Sequence, residues 1–297
     1  MGSGDWSKAA YTASSAAFET KGRDDIFTTK TASAVDDSML PFNVAIRESR
    51  DSDAHPTSLA LMVCLDVTGS MGTIPEQLVK GKLGEVMNTL IDHGIKDPQI
   101  MFCGVGDHEC DRVPLQISQF ESADKELQHW LTKIFLEGGG GGNAGESYIL
   151  PWYFAARSTS IDCFEKRGEK GFIFTIGDEP YLPSVPADAL KKIFGSGEAL
   201  LTAEQLLAEA QRTYHVFHIH IAHGSARSGN WKDLLGQNLI TIDDHNIVAE
   251  IIASTVAYMH GVDVTSSFDA ATADKVTTAL AHVDRGVAKN TDKVVNL

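Results

Sequence analysis

The amino-acid sequence predicts an α/β fold, a doubly wound and mostly parallel six-stranded sheet with helices on both faces. Three observations carry that prediction. Apolar runs of strand length stand at residues 61–65, 99–106, 170–177, 213–223 and 238–242, with a weaker alternating run at 113–120. Segments of helical period separate them, and the alternation extends over residues 57–261. With 297 residues, 43% of them hydrophobic, the chain can bury one large core and carry extensions.

The organisation expected is an arm over residues 1–56, the α/β domain over 57–261 and a helical extension over 262–297. The arm is rich in Ser, Thr, Ala and Asp, with short apolar islands around Ile26 and from Met39 to Ile46. That composition suits a segment packed on the domain or on a neighbour more than an independent fold. After the first strand, Pro75 fits a first helical turn, and Leu78, Val79, Leu83, Val86, Met87, Leu90 and Ile91 keep helical spacing. Asp97-Pro98 breaks the chain ahead of the second strand. Strand, helix, strand is a parallel unit with a right-handed crossover.

Residues 113–120 read as a short edge strand, and Leu127, Trp130, Leu131, Ile134 and Phe135 as one face of a helix. Pro151 delays or kinks the helix after the glycine run. Helices follow at 186–194 and 202–211, the second with a Thr202-x-x-Gln205 capping box. Asp243 or Asp244 caps a helix that Gly261 ends, and one more helix is expected from about Asp269 to Arg285.

The chemistry concentrates where strands stop. The run Leu61 to Leu65 halts at Asp66-Val67-Thr68-Gly69-Ser70, which puts a carboxylate and two hydroxyls on one loop. Ligands of open α/β sheets bind at that carboxyl edge. Hard oxygen donors with few carboxylates suit magnesium, which keeps several waters. Helix capping by Asp66 or Ser70 is the bland alternative. Asp107 follows the second strand and Asp178 the third, at the same edge. Between them lies Gly138 to Gly142, then Asn143, Gly145, Glu146 and Ser147; no Gly-Lys-Ser/Thr follows the glycines, which excludes a phosphate loop. His218 and His220 share one face of a strand, with His215 or His223 nearby; zinc is one reading and ordinary hydrogen bonding the other.

Asp66-Val67-Thr68-Gly69-Ser70-Met71 resembles the Asp-x-Ser/Thr-Gly-Ser signature of von Willebrand factor type A (vWA) domains, whose metal-ion-dependent adhesion site (MIDAS) begins with it. The resemblance covers residues 57–261 and implies a Rossmann-like fold with two further metal loops. One usually gives a threonine after glycines, and Asn143 stands in its place; the other gives an aspartate after a strand, here Asp178. The glycines, Asn143 and then Glu146-Ser147 look like a subset of intracellular vWA domains, including those of alpha-kinase-like proteins. On this resemblance Asp66, Thr68, Ser70, Asn143 and Asp178 hold Mg2+ (or Mn2+ or Ca2+), with Asp107, Glu146 and Ser147 around them. A protein partner gives an acidic residue to the ion, and an AAA-type ATPase or an assembly subunit is a partner class that the family allows.

A formal net charge of −15 argues against nucleic-acid or anionic-membrane binding. Four cysteines without a pairing pattern, no leader-like segment, no bilayer-length apolar run and Trp6 at the position where myristoylation wants a hydroxyl point to a cytoplasmic protein. An enzyme of the haloacid-dehalogenase type needs a second acid two positions after its nucleophile; Thr68 stands there. The sequence therefore predicts a non-catalytic, metal-dependent protein-binding module. A structural subunit with a vestigial metal loop is the alternative.

Overall fold

A computed structural model describes residues 4–69, 71, 73–138, 143, 145–222 and 229–285. Ser70, His223 and most of the glycine run lie outside them. The arm carries helices α1 (Lys8–Ala16) and α2 (Arg23–Ile26) and strand β1 (Arg47–Ser49). It is laid across the domain: Trp6 Nε1 donates to Asn88 at 2.9 Å, Tyr11 Oη to the Leu78 carbonyl at 2.9 Å, and Thr28 N to the Thr132 carbonyl at 2.9 Å.

Strand β2 (Leu59–Asp66) is buried along its whole length, as a near-continuous apolar strand must be when both sheet faces are covered. The helical segment after it is not one regular helix. Helix α3 (Thr73–Gln77) passes into a π-type turn at Leu78–Lys82, where Gly81 has an extended backbone (φ 164°), before α4 (Leu83–Asp92). Next come β3 (Pro98–Val105), the short β4 (Leu115–Ile117) and α5 (Asp124–Lys133). Helix α5 stops before Ile134 and Phe135, which are buried from the following turn instead.

Helix α6 (Leu150–Arg157) starts late, after Ser147, with Pro151 in its first turn, where its missing N–H is not needed. Strand β5 (Thr159–Ile161) and α7 (Asp162–Arg167) lead into β6 (Gly171–Gly177). A hairpin-like pair, β7 (Ser184–Val185) and β8 (Leu201–Thr202), brackets α8 (Ala187–Phe194), and α9 (Ala203–Ala210) starts on the expected Thr202–Gln205 capping box. The chain ends with β9 (Tyr214–Ile221), α10 (Trp231–Leu235), β10 (Leu239–Ile242), α11 (Val248–Met259) and α12 (Ala270–Leu280). Asp244 caps the 3-10 turn before α11, and Gly261 (φ 80°) follows that helix. Asp269 caps α12, which is shorter than its apolar stripe suggested.

The main sheet has the order β10-β9-β6-β2-β3-β4, parallel except for β4. It is the six-stranded, mostly parallel Rossmann-like sheet that the alternation predicts. The chain runs from β2 outward to β3 on one side and later returns to β6 on the other. Loops leaving the carboxyl ends of β2 and β6 therefore diverge, and the switch point of the sheet, where open α/β sheets form a crevice, lies between Asp66 and Asp178. Two-residue and three-residue pairs outside this sheet, β1 with β5 and β7 with β8, tie the arm and the α8 segment down.

Candidate functional site

Asp66 ends β2 and is 1% exposed. Its Oδ1 accepts from Thr68 N at 2.8 Å and Thr68 Oγ1 at 2.5 Å, and its Oδ2 accepts from Tyr148 Oη at 2.6 Å. Burial pushes the Asp66 carboxyl up to about 6; the Thr68 and Tyr148 bonds oppose that shift and the Asp178 carboxylate adds to it. Asp178 is buried at the end of β6, so the sheet brings the first and third predicted loops together.

The segment after the glycine run is stitched to both neighbours. Glu146 pairs with Tyr181 as an isolated parallel bridge: Glu146 N donates to the Pro180 carbonyl at 2.9 Å, and Leu182 N to the Glu146 carbonyl at 2.9 Å. Ser147 N donates to the Gly106 carbonyl at 3.1 Å, and Ser147 Oγ accepts from His108 N at 2.9 Å. Three loops are thus one hydrogen-bonded rim. Asn143 is exposed, and its amide donates to Glu109 Oε2 at 2.8 Å, on the rim and not in its interior.

The interior of the rim is acidic. Asp107 is fully buried; its Oδ1 accepts from Glu109 N at 2.8 Å, while Oδ2 has no hydrogen-bond partner among the described residues. Glu146 is 5% exposed and its Oε2 is likewise without a hydrogen-bond partner. Burial, followed by the charges of Asp66, Asp111, Asp107 and Glu179, pushes Glu146 up to about 9. The groups that act most on Asp66 and Glu146 are acids, hydroxyls and an N–H; Lys and Arg are not among them. Oxygen donors of this kind match a hard divalent cation, and the Asp107 and Glu146 oxygens lack a hydrogen-bond partner among the described residues. Among the described residues, no three His, Cys, Asp or Glu side chains are grouped to hold a metal ion, which also leaves His218 and His220 without a third ligand of that kind.

Tyr148, Gly177 and Trp231 were not singled out from sequence. Gly177 is the side-chain-free position that admits the Tyr148 hydroxyl: a Cβ there would lie 1.9 Å from Tyr148 Oη. Trp231 stacks on His218 (centroids 3.7 Å, 11° between planes) and donates Nε1 to the Glu179 carbonyl at 3.1 Å. Tyr148 sits edge-on to His218 at 5.1 Å. The two strand histidines thus belong to an aromatic floor, and burial holds His218 well below the usual histidine range. The sequence did hold one signal: a glycine closing a buried strand just before a site acid marks a close approach.

The fold and the crevice define a Rossmann-like α/β domain with its polar edge at the switch point of the sheet. No protein-family model matches the chain, and a search of curated proteins finds no match. Among solved structures, proximal thread matrix protein 1 from the mussel byssus is similar over 67% of this chain and 48% of its own, at 10% identity and a TM-score of 0.43. The pilus adhesin SpaC from Lactobacillus rhamnosus GG is similar over 74% and 31%, at 8% identity and 0.43. A von Willebrand factor type A protein from Catenulispora acidiphila is similar over 68% and 42%, at 11% identity and 0.43. This chain spans less than half the length of each, and at these scores the likeness carries no argument about function.

Proposed function

We propose that the crevice between the β2 and β6 loops is a divalent-cation site through which the protein binds an acidic side chain of a protein partner, as the vWA-like motif at Asp66 implies. The reading assigns Mg2+, or Mn2+ or Ca2+ in its place, to Asp66, Thr68, Ser70 and Asp178, directly or through water, with Asn143, Asp107, Glu146 and Ser147 around it. One observation carries it: Asp66 and Asp178 are buried at the switch point of the sheet, and the groups that act most on Asp66 and Glu146 include acids and no cationic side chain. A cation bound there supplies the missing countercharge and offers the partner's carboxylate a vacant coordination position. The module is residues 57–261, with 1–56 and 262–297 as its extensions.

The reading is non-enzymatic. Thr68, where a phosphatase of the kind considered above needs its general acid, is engaged as a donor to Asp66. No described helix is long and apolar enough to cross a membrane, and a cytoplasmic setting is part of the proposal. An AAA-type ATPase or an assembly subunit is the partner class in view. Titration calorimetry with MgCl2 tests the site: wild type should bind and Asp66→Ala should not, and equal affinity in the two proteins would refute it.

A further inference from the structure

Away from the crevice, helices α4 and α11 pack along each other, and their seam holds an unbalanced set of charges. Lys82, on the π-type turn that leads into α4, donates Nζ to Glu85 Oε2 at 2.8 Å and to Glu250 Oε1 at 2.5 Å. One ammonium thus serves two carboxyl groups, one from each helix. Glu85 is exposed, whereas Glu250, in the first turn of α11, is buried. Glu250 Oε2 has no hydrogen-bond partner among the described donors, and the Glu85 carboxyl lies within its hydrogen-bonding reach.

Two ionised carboxylates in contact repel each other, and a buried oxygen without a donor carries its full desolvation penalty. A proton on Glu250 Oε2 removes both: that oxygen becomes a donor to Glu85, while Oε1 still accepts from Lys82. The set then holds one ammonium and one carboxylate and is neutral. Burial first, and Glu85 next, push Glu250 up to about 7, against the opposing pull of Lys82 and of its own backbone N–H.

The remaining charged groups at the seam do not supply an alternative. A cavity of about 510 Å3 beside it is lined also by Lys8, Asp92, His93 and Asp269. Asp269 is engaged at the start of α12 by Ala271 N, Thr272 N and Thr272 Oγ1. His93 has Nδ1 on the Thr89 carbonyl at 2.8 Å and Nε2 on Ser267 Oγ at 3.2 Å. Lys8 is exposed on α1, and among the described residues only Lys82 forms an ion pair with Glu250.

We propose that a proton shared between Glu85 and Glu250 latches α11 to α4, and that the latch opens as the pH rises through neutrality. Its contribution to stability is complete below pH 4.5, where Glu250 is protonated folded or unfolded, and is lost as the pH passes about 7. Once ionised, Glu250 is drawn toward the water of the adjoining cavity, and the first turn of α11 loosens from α4.

Carboxyl 13C NMR of the full chain labelled at glutamate, titrated through acid to mildly alkaline pH, tests the latch. Glu250→Gln and Glu85→Gln identify the two resonances. Glu250 should titrate near neutrality in wild type and hold its proton about tenfold more weakly in Glu85→Gln, where the like charge is gone. Amide hydrogen exchange over Val248–Met259, corrected for its intrinsic pH dependence, should accelerate about tenfold from about pH 6 to 8 in wild type and not in Glu250→Gln. Asp66 and Glu146 titrate in both proteins, so the difference between the two reports Glu250 alone. A static ion triad predicts Glu250 titrating in the ordinary carboxylate range, and that result overturns the proposal. Equal acceleration in wild type and Glu250→Gln overturns it as well. Should Glu250→Gln fail to fold, the wild-type titration and the exposed-site variant Glu85→Gln decide the matter: an unchanged Glu250 midpoint in Glu85→Gln refutes the shared proton.

Discussion

Replacing Gly177 with alanine tests the packing on which the whole crevice depends. The added methyl would lie 1.9 Å from Tyr148 Oη, 2.6 Å from Cζ and 2.8 Å from Cε1, well inside contact distance. Tyr148 is fully buried among large side chains and has no free volume to retreat into, so the ring must shift and its bond to Asp66 must break. Overpacking of this kind costs about 1–3 kcal/mol, and a lost hydrogen bond to a charged acceptor adds about 1.5–3 kcal/mol. The sum, roughly 2.5–6 kcal/mol, corresponds to a fall in Tm of about 10 °C for a chain of this size. The decisive measurement is a double-mutant cycle by chemical denaturation. In a Tyr148→Ala background the methyl meets vacated space, so Gly177→Ala should cost less than about 1 kcal/mol there. An equal cost in both backgrounds would show that the strain lies elsewhere and refute the account of Tyr148.

Three further outcomes are expected. Glu146 ionises at 4.5 when unfolded and near 9 in the fold, so its contribution to stability is present below pH 4.5 and is lost as the pH rises toward 9. The loss is about 3 kcal/mol by pH 7; in chelator, wild type should weaken from pH 5 to 8 while Glu146→Gln shows a flatter profile, and parallel profiles count against it. Arg50 bonds Glu48, Asp162 and Glu165 at once, and Arg50→Ala should cost about 2 kcal/mol in urea denaturation. Burial alone would raise Asp162, but Lys166, Asp51 N and Arg50 hold it down at about 2. Its contribution, present above pH 3.8 and lost as the pH falls through 2, should therefore shrink in that variant. Thr202→Ala removes the capping box of α9 and should cost about 1 kcal/mol, with Thr202→Ser restoring most of it.

The parts of the fold that sequence revealed are those where burial dictates residue type. β2, β3 and β6 are covered on both faces, β9 nearly so, and had to be apolar runs, and the acids that halt β2 and β6 had to sit at their carboxyl ends. The π-type turn at Leu78–Lys82 escaped notice because Leu78, Val79 and Leu83 keep their inward face through it. β1, β5, β7 and β8 have two or three residues each, too short for any period to show. The candidate site was legible as loops but not as contacts. That Asn143 points to Glu109 and that Tyr148 reaches Asp66 are consequences of tertiary packing, carried by residues 34 and 82 positions apart.

The pairing of β1 with β5 sets a schedule for the chain as it is made. Arg50 meets Asp162, and Arg47 meets Thr159 in register, more than a hundred positions after they leave the ribosome. At about 5–20 residues per second the arm waits roughly 6–20 s for its partner strand. Ile26, Phe27 and Met39, all buried in the finished fold, wait with it for the core to be completed. An arm of Ser, Thr, Ala and Asp with only brief apolar islands remains hydrated while it waits, so the low-hydrophobicity composition that looks like weak structure is what a late-docking segment requires.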